Sequence, residues 1–531
     1  MGGKAVGPGW VLTVDLPPPS LNNNTADADR LADALKQALP ADAVCMDLPL
    51  IRALPQKLRK HHFRVRCVVF KGLNETVLTA VLDPEDPMPV AGLALDIGTT
   101  TIFMRLVDLE AQTLLREIAF SNPQGRIGPD VLTRILYAET DEGLFELNRL
   151  LMETLNRHIN DLCAQCGIET HRIFLVSVAG NTAMTHLFLG LCPRHLIREP
   201  YIPAVNRIPL LFAGNLGLGL HPETRVYVFP NIGSYFGGDL FAGIFFSGLH
   251  EKDSLSLLVD VGTNAEVVLG TREWLMACAG AAGPALEGGV TRMGMPAGPG
   301  VIDKVTIDSK ARRVSVRTIG NHPPKGICGS GLIDLAAQLF RAGMIDIQGK
   351  WIPAACGKRL VEQDGEWRFV LVPARETAGG GDLTLTQADL DSLMRSKAAM
   401  YTILETLTRA AGVSFEEIDA FYVAGTFGSV IDPESAITLG MLPDLPRDRF
   451  HVLGNSAIGG AVRVLFSREG TGRVAAIRDR TTYLELNVNP DFMNRFSAAK
   501  FIPHTDISRF PSVTIPSSPH PLASAPPEGA S

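Results

Sequence analysis

Two short stretches of this chain repeat one pattern: Leu93-Ala-Leu-Asp96-Ile-Gly98-Thr99-Thr100-Thr101 and Leu257-Leu-Val-Asp260-Val-Gly262-Thr263-Asn264. In each, an apolar run delivers an aspartate, a glycine follows one residue later, then hydroxyl or amide side chains, then a second apolar run. The first half reads as a buried strand and the second as the strand that leaves the turn. Glycine at the turn lets backbone N–H groups approach an anion, and threonine hydroxyls can donate to phosphate oxygens. The aspartate shares the sign of a phosphate, so it acts through a hydrated Mg²⁺, which tolerates one or two carboxylates and keeps several waters. One such turn is weak evidence. Two copies predict a pair of jaws gripping a polyphosphate from both sides of a cleft.

Other glycine turns extend the pattern. Val423-Ala424-Gly425-Thr426-Phe427-Gly428 follows an apolar strand, and its glycines would let backbone lie against a flat adenine ring. Gly329, Ser330 and Gly331 open a helix, whose N-terminus favours anions. Segment 278–300 is too rich in glycine for a regular element and reads as a long loop. Glu266 and Glu287 are the candidates to position an attacking water, and Asp239 in Gly-Gly-Asp-Leu is a further metal-facing acid.

Strand-like and helix-like segments alternate from about residue 91 to 505, which argues α/β layers. Residues 93–121 predict a three-strand meander, and Ile173–Asn181 a strand entering a helix at Asn181 and Thr182. The expected division is a linker over 1–25, a small α/β domain over 26–90, a first lobe over 91–250, a second lobe over 251–505, and a Pro/Ser-rich disordered tail over 506–531. Pro55 is expected to start or kink a helix. The cluster Lys57, Arg59, Lys60, His61 and His62 reads as a solvated helix face rather than a docking patch.

Composition narrows the function classes. The net charge is −7, which disfavours a nucleic-acid surface. No apolar run reaches the ~18–20 residues of a membrane helix, and the N-terminus lacks a signal-peptide core, so a cytoplasmic protein is expected. The eight cysteines are scattered, with one CxxC at Cys163 and Cys166 near a helix end. No second CxxC completes a metal or cluster site, and the structural reading of both thiols is preferred.

The three motifs around Asp96, Asp260 and Gly425 resemble the phosphate-1, phosphate-2 and adenosine motifs of the acetate/sugar kinase, heat-shock chaperone and actin (ASKHA) superfamily. Within it, Ser121-Asn-Pro-Gln-Gly-Arg-Ile-Gly-Pro-Asp130, Ala179-Gly-Asn-Thr-Ala-Met-Thr-His186, Gly237-Gly-Asp-Leu-Phe-Ala-Gly-Ile244, Gly283-Pro-Ala-Leu-Glu-Gly-Gly289, Gly326-Ile-Cys-Gly-Ser-Gly-Leu-Ile-Asp334 and Val488-Asn-Pro-Asp-Phe-Met-Asn-Arg-Phe496 resemble the reductive activators of corrinoid proteins. The likeness runs from about residue 10 to 503.

It implies two actin-like, ribonuclease H-like lobes behind a small α/β domain, and an ATPase that couples ATP to reduction of cobalt(II) corrinoid to cobalt(I) on a methyl-transfer protein. It implies ATP and Mg²⁺ as cofactors and a corrinoid protein as partner, and leaves room for a homodimer. Asp96, Asp260 and Asp239 would face metal. Gly98, Thr99, Thr100, Thr101, Gly262, Thr263, Asn264, Gly329, Ser330 and Gly331 would hold phosphates, and Gly425, Thr426 and Gly428 adenosine. Typical members carry an N-terminal ferredoxin-like domain. The C-x₄-C-x₂-C run of its 2Fe–2S cluster has no counterpart here, so no cluster is expected in this chain: the ferredoxin is a separate polypeptide that supplies the electrons, or the N-terminus has been truncated, or this member has another job. Two other readings differ in class: a small-molecule kinase of the same superfamily, and a non-catalytic ATP-binding interaction module.

Overall fold

The computed structural model describes residues 9–39, 43–72, 75–262, 264–281, 291–308, 313–363, 365–425, 431–486 and 492–516. Glu287, Thr263, Thr426, Phe427 and Gly428 lie outside them, as do residues 282–290 of the glycine-rich segment. The chain divides into two compact units. The first holds residues 1–253, 270–275 and 455–483; the second holds 254–269, 276–454 and 484–531.

The first unit opens with a four-stranded sheet in the order β1-β3-β4-β2: β1 Val11–Asp15, β2 Val44–Met46, β3 Arg64–Lys71 and β4 Thr76–Leu82. Helices α1 (Asp27–Ala38) and α2 (Leu48–Lys60) accompany it. Two expectations change here. The segment expected as a linker contributes β1, which pairs antiparallel with β3, and Trp10 ahead of it is buried with its indole N–H on the Val464 carbonyl at 2.9 Å. Pro55 sits inside α2, which starts earlier with proline in its first turn, a position where the missing N–H costs nothing. The basic cluster is largely a solvated face, with Arg59, Lys60 and His62 exposed, while Lys57 donates to the Val81 carbonyl at 2.7 Å and Arg59 pairs with Asp27.

The larger sheet of this unit follows. Its strands are β5 Ala91–Ile97, β6 Thr101–Asp108, β7 Thr113–Ser121, β8 Ile173–Gly180, β9 Leu211–Phe212 and β10 Arg225–Val228, in the order β7-β6-β5-β8-β10-β9. β5–β6–β7 is the expected antiparallel meander, and β5 pairs parallel with β8. Every residue of β5 is buried, as a central strand covered on both faces requires, whereas β7 at the edge is mostly exposed. Helix α3 (Asp141–Cys166) joins this core through Leu147, Leu151, Leu155 and Ile159. Thr140 caps its start and Gly167, at φ 65°, ends it. Cys163 is buried on α3, and burial pushes its thiol up to about 11. Helices α4 (Thr182–Leu189) and α5 (Gly238–Ser247) complete the layer.

The second unit repeats the logic. Strands β11 (Ser256–Val261), β12 (Asn264–Gly270), β13 (Leu275–Ala281), β15 (Ala420–Ala424) and β16 (Phe450–Gly454) share a sheet in the order β16-β15-β11-β12-β13. β14 (Val301–Asp308) belongs to a smaller sheet. Helix α6 (Gly329–Arg341) lies against β14, and the long α7 (Gln387–Ala410) starts from a capping box of Thr386 and Asp389. The chain stays packed beyond residue 505. Phe510 is fully buried against Tyr401, and Arg509 pairs with Glu405 at 2.9 Å. An aromatic side chain and a buried ion-pair partner hold this stretch where composition alone suggested a tail.

After β16 the chain returns to the first unit as α8 (Ser456–Phe466), a helix that crosses α5 at backbone contact. A Cβ on Gly460 would overlap the Ala242 carbonyl, and one on Gly459 would strike the Phe246 ring.

Candidate nucleotide-binding turns

Asp96 is the penultimate residue of β5, buried, and in register with Ala179 of β8, so that Ile97 lies beside Gly180. Gly98 then turns the chain so tightly that a Cβ there would overlap the Thr101 carbonyl oxygen. Thr99 and Thr101 are half-buried and Thr100 is exposed, so hydroxyls from this turn reach solvent.

Three asparagines hold the turn. Asn122 donates its side-chain N–H to the Gly98 carbonyl at 2.8 Å, Asn181 to Thr99 Oγ1 at 3.0 Å, and Asn455 to Asp96 Oδ2 at 2.7 Å. Asn181 was visible in sequence as a helix start. Asn122 lay inside a quoted motif without a role, and Asn455, 359 residues from its partner, carried no local signal.

Asp239 stands in the same neighbourhood. It is half-buried in the first turn of α5, and its Oδ1 accepts the Leu240 N–H at 2.9 Å. Gly237 before it packs so closely that a Cβ there would meet both the Asn181 Cα and Asp239 Oδ1. Burial pushes the Asp239 carboxyl up to about 6, against the lowering effect of two backbone N–H bonds.

In the second unit Asp260 is the penultimate residue of β11, in register with Ala424 of β15. Gly425 follows with φ +89°, and a Cβ there would sit 2.7 Å from both Asp260 Oδ1 and the Val261 carbonyl. The two turns therefore match more deeply than the Asp-x-Gly-Thr signature alone. Each aspartate lies beside an alanine, with a glycine next: Val178-Ala179-Gly180-Asn181 in the first unit and Val423-Ala424-Gly425-Thr426 in the second. Gly425 is thus required by Asp260 whatever it does for a ligand. Glu266 is half-buried on β12, and its charge adds to the burial that raises the Cys278 thiol. At the start of α6, Gly331 is needed because a Cβ would overlap the Ile302 carbonyl of β14, and Ser330 Oγ contacts Cys328 Sγ at 3.2 Å. That helix start is buried rather than open.

Among the described residues no group of three or more His, Cys, Asp or Glu is placed to hold a metal ion, and no helix is long and apolar enough to cross a membrane. A cavity of about 620 Å³ in the first unit, lined by Ile208, Leu210, Tyr227 and Arg478 among others, includes none of the residues singled out from sequence.

Three family models match the chain in succession: the RACo linker region over residues 10–85, the RACo middle region over 91–252, and the C-terminal domain of RACo, the ASKHA domain, over 254–514. The corrinoid activation enzyme RamQ of Eubacterium limosum is 31% identical over 472 residues, 87% of this chain and 79% of that protein. The chain belongs to the reductive activators of corrinoid proteins. Another relative of this activator is a reductase of a methylated-amine-specific Co(II) corrinoid protein from Methanosarcina barkeri, 23% identical over 425 residues, 74% of this chain and 73% of that one. The solved structure of a reductive activator for a corrinoid, iron-sulfur protein matches with a TM-score of 0.86 at 38% identity, over 97% of this chain and 82% of the other. The expected α/β fold of ASKHA type is that of the family.

Proposed function

We propose that this activator binds MgATP through its two Asp-x-Gly-Thr turns and couples ATP hydrolysis to reduction of a partner's inactive corrinoid from cobalt(II) to cobalt(I). The observation that carries the reading is the repeated strand pair, Asp96 beside Ala179-Gly180 and Asp260 beside Ala424-Gly425, in a chain of this family. The donor set fits the ligand: carboxylates suited to metal-bound water, glycine backbone that admits a phosphate, and threonine hydroxyls that donate to its oxygens. When bound, Mg²⁺ neutralises phosphate charge as hydrolysis proceeds. Asp96 and Asp260 would orient its waters, and Thr99, Thr100, Thr101, Thr263 and Asn264 would hold phosphate oxygens. Asp239 would be a further metal-facing acid, and Glu266 or Glu287 would position the attacking water.

The electron comes from outside the nucleotide chemistry. One electron passes from a reduced low-potential ferredoxin to cobalt(II), leaving oxidised ferredoxin and cobalt(I). Each ~59 mV that the electron must climb lowers the equilibrium tenfold, and ATP-dependent binding that favours the more reducible cobalt state offsets that deficit. The eight cysteines are free thiols, and those at Cys67, Cys163, Cys278, Cys328 and Cys356 are buried. The donor we assign is a reduced ferredoxin or a ferredoxin-like carrier.

The test is anaerobic visible spectroscopy of a cobalt(II) corrinoid protein mixed with the activator, with and without MgATP and with and without ferredoxin. Cobalt(I) should form only with both. Cobalt(I) formed without a donor would reveal an overlooked redox centre. No effect of ATP with donor present would overturn the coupling.

A further inference from the structure

We infer that Asn122, Asn181 and Asn455 are positioning residues that hold the Asp96–Thr101 turn in the shape its phosphate and metal chemistry needs, an inference that rests on the MgATP reading above. Each asparagine is used at both ends of its amide. Asn122 Oδ1 accepts the Gln124 N–H at 3.0 Å, Asn181 Oδ1 the Met184 N–H at 2.9 Å, and Asn455 Oδ1 the Ile458 N–H at 2.9 Å. Each thereby caps a helix start. Backbone N–H groups only donate, so the oxygen must face the helix and the NH₂ must face the turn. The NH₂ groups then fall on three successive points of the turn: the Asp96 carboxylate, the Gly98 carbonyl and the Thr99 hydroxyl.

This arrangement does three chemical things. The Asn455 contact fixes the rotation of the Asp96 carboxylate and brings no counter-charge to it, because an amide is neutral. The Asn181 contact occupies an acceptor lone pair of Thr99, so the Thr99 O–H remains available to donate to a phosphate oxygen. The Asn122 contact ties down the carbonyl of the residue whose N–H groups must point at the ligand. Three helix starts, from residues 122, 181 and 455, thus converge on one turn, which the Asn122 backbone N–H also holds through the Thr100 carbonyl at 2.8 Å. Partners that orient a metal-facing ligand typically matter by ~10–100-fold in affinity or activity.

Aspartate separates this role from helix capping. It caps a helix as well as asparagine does, yet it has no N–H to give the turn and places a negative charge beside Asp96 or an incoming phosphate. Pure capping predicts that N122D, N181D and N455D are neutral and that only the alanine variants melt early. Turn-holding predicts something else: the aspartate variants still fold, with some loss of melting temperature where the new carboxylate meets Asp96 or the Gly98 carbonyl, and at temperatures where they are fully folded they lose ~10–100-fold in MgATP affinity or kcat/KM. The experiment is calorimetric titration of MgATP and ATPase kinetics on the full chain, with melting curves for wild type and for the aspartate and alanine variants. Wild-type binding with unchanged affinity and turnover in all three aspartate variants would overturn the inference and leave the nucleotide reading standing. Absence of MgATP binding by the wild type would overturn both.

Discussion

At the scale of single residues, the glycines that shape the turns are decided by their neighbours' backbones. Gly425 shows this best. Its φ of +89° disfavours any side chain, and the space a Cβ would take is held by Asp260 Oδ1 and the Val261 carbonyl. Gly425→Ala should therefore cost about 1–3 kcal/mol of stability and displace the Asp260 carboxylate. Melting and MgATP titration should fall together. A variant that melts normally but binds nucleotide weakly would mean that Gly425 serves only the ligand. Asp239 makes a second residue-scale prediction. Its folded pKa, about 6, is raised above the ordinary value near 3.9 of an unfolded chain, so the folded state holds this proton more tightly. The ionised carboxylate thus opposes folding at neutral pH, and the opposition fades as pH falls through about 6. Asp239→Asn, which retains a capping oxygen, should melt higher than wild type at pH 7.5, with the gap closing toward pH 4. If Asp239 also serves catalysis, that stabler protein will hydrolyse ATP more slowly, the usual trade at a functional site. A gap independent of pH would show that burial does not perturb this carboxyl.

Elements are placed by contacts between segments far apart in sequence. The crossing of α5 and α8 depends on two glycines of α8: Gly460 packs on Ala242 of α5 and Gly459 on its Phe246 ring. Two effects compete in Gly460→Ala. Helix propensity favours alanine by about 1 kcal/mol. Overlap with the Ala242 carbonyl is with backbone, which cannot swing aside, and overpacking of this kind costs about 1–3 kcal/mol. Sterics should win, and thermal or urea denaturation should show net destabilisation. A net gain would mean the helices separate easily. Because α8 also starts at Asn455, a loosened crossing should lower MgATP affinity along with stability. The meander β5–β7, the strand–helix passage at Asn181 and the glycine entry to α6 were all legible from periodicity and capping signals. The strand β1 was not: five residues after a glycine-rich start read as linker until β3 supplies their hydrogen-bond partners.

On the scale of the whole molecule, a ligand that binds only the folded protein raises its stability by RT ln(1 + [L]/Kd), about 2.7 kcal/mol at a hundredfold excess over Kd. MgATP at that excess should raise the melting temperature of the wild type. It should raise that of Asp96→Ala or Asp260→Ala much less, and ATP without Mg²⁺ should have a smaller effect on all three. Turnover in the two aspartate variants should drop ~10–1,000-fold, as expected when a preorganised electrostatic group is removed. Equal thermal shifts in wild type and both variants would remove the two aspartates from the site.

The sequence by itself determined the α/β class, the repeated Asp-x-Gly-Thr turn and the family resemblance, because these rest on local patterns: two-residue alternation, glycine at a tight turn, an aspartate at a strand end. Two regions resisted that reading for a common reason. Residues 455–483 follow the last strand of the second unit yet pack in the first, and residues 506–516 look like a tail yet bury Phe510. Nothing within either stretch says where its partner lies. The same holds for the site. Asp96 announces itself, but the amide that holds it belongs to Asn455, and the alanine–glycine steps beside both aspartates become a repeat only when strand register sets Ala179 against Asp96 and Ala424 against Asp260. Local conformational preference writes a turn into sequence; which distant side chains reach that turn is fixed only when hydrogen-bond register and helix packing close the chain on itself.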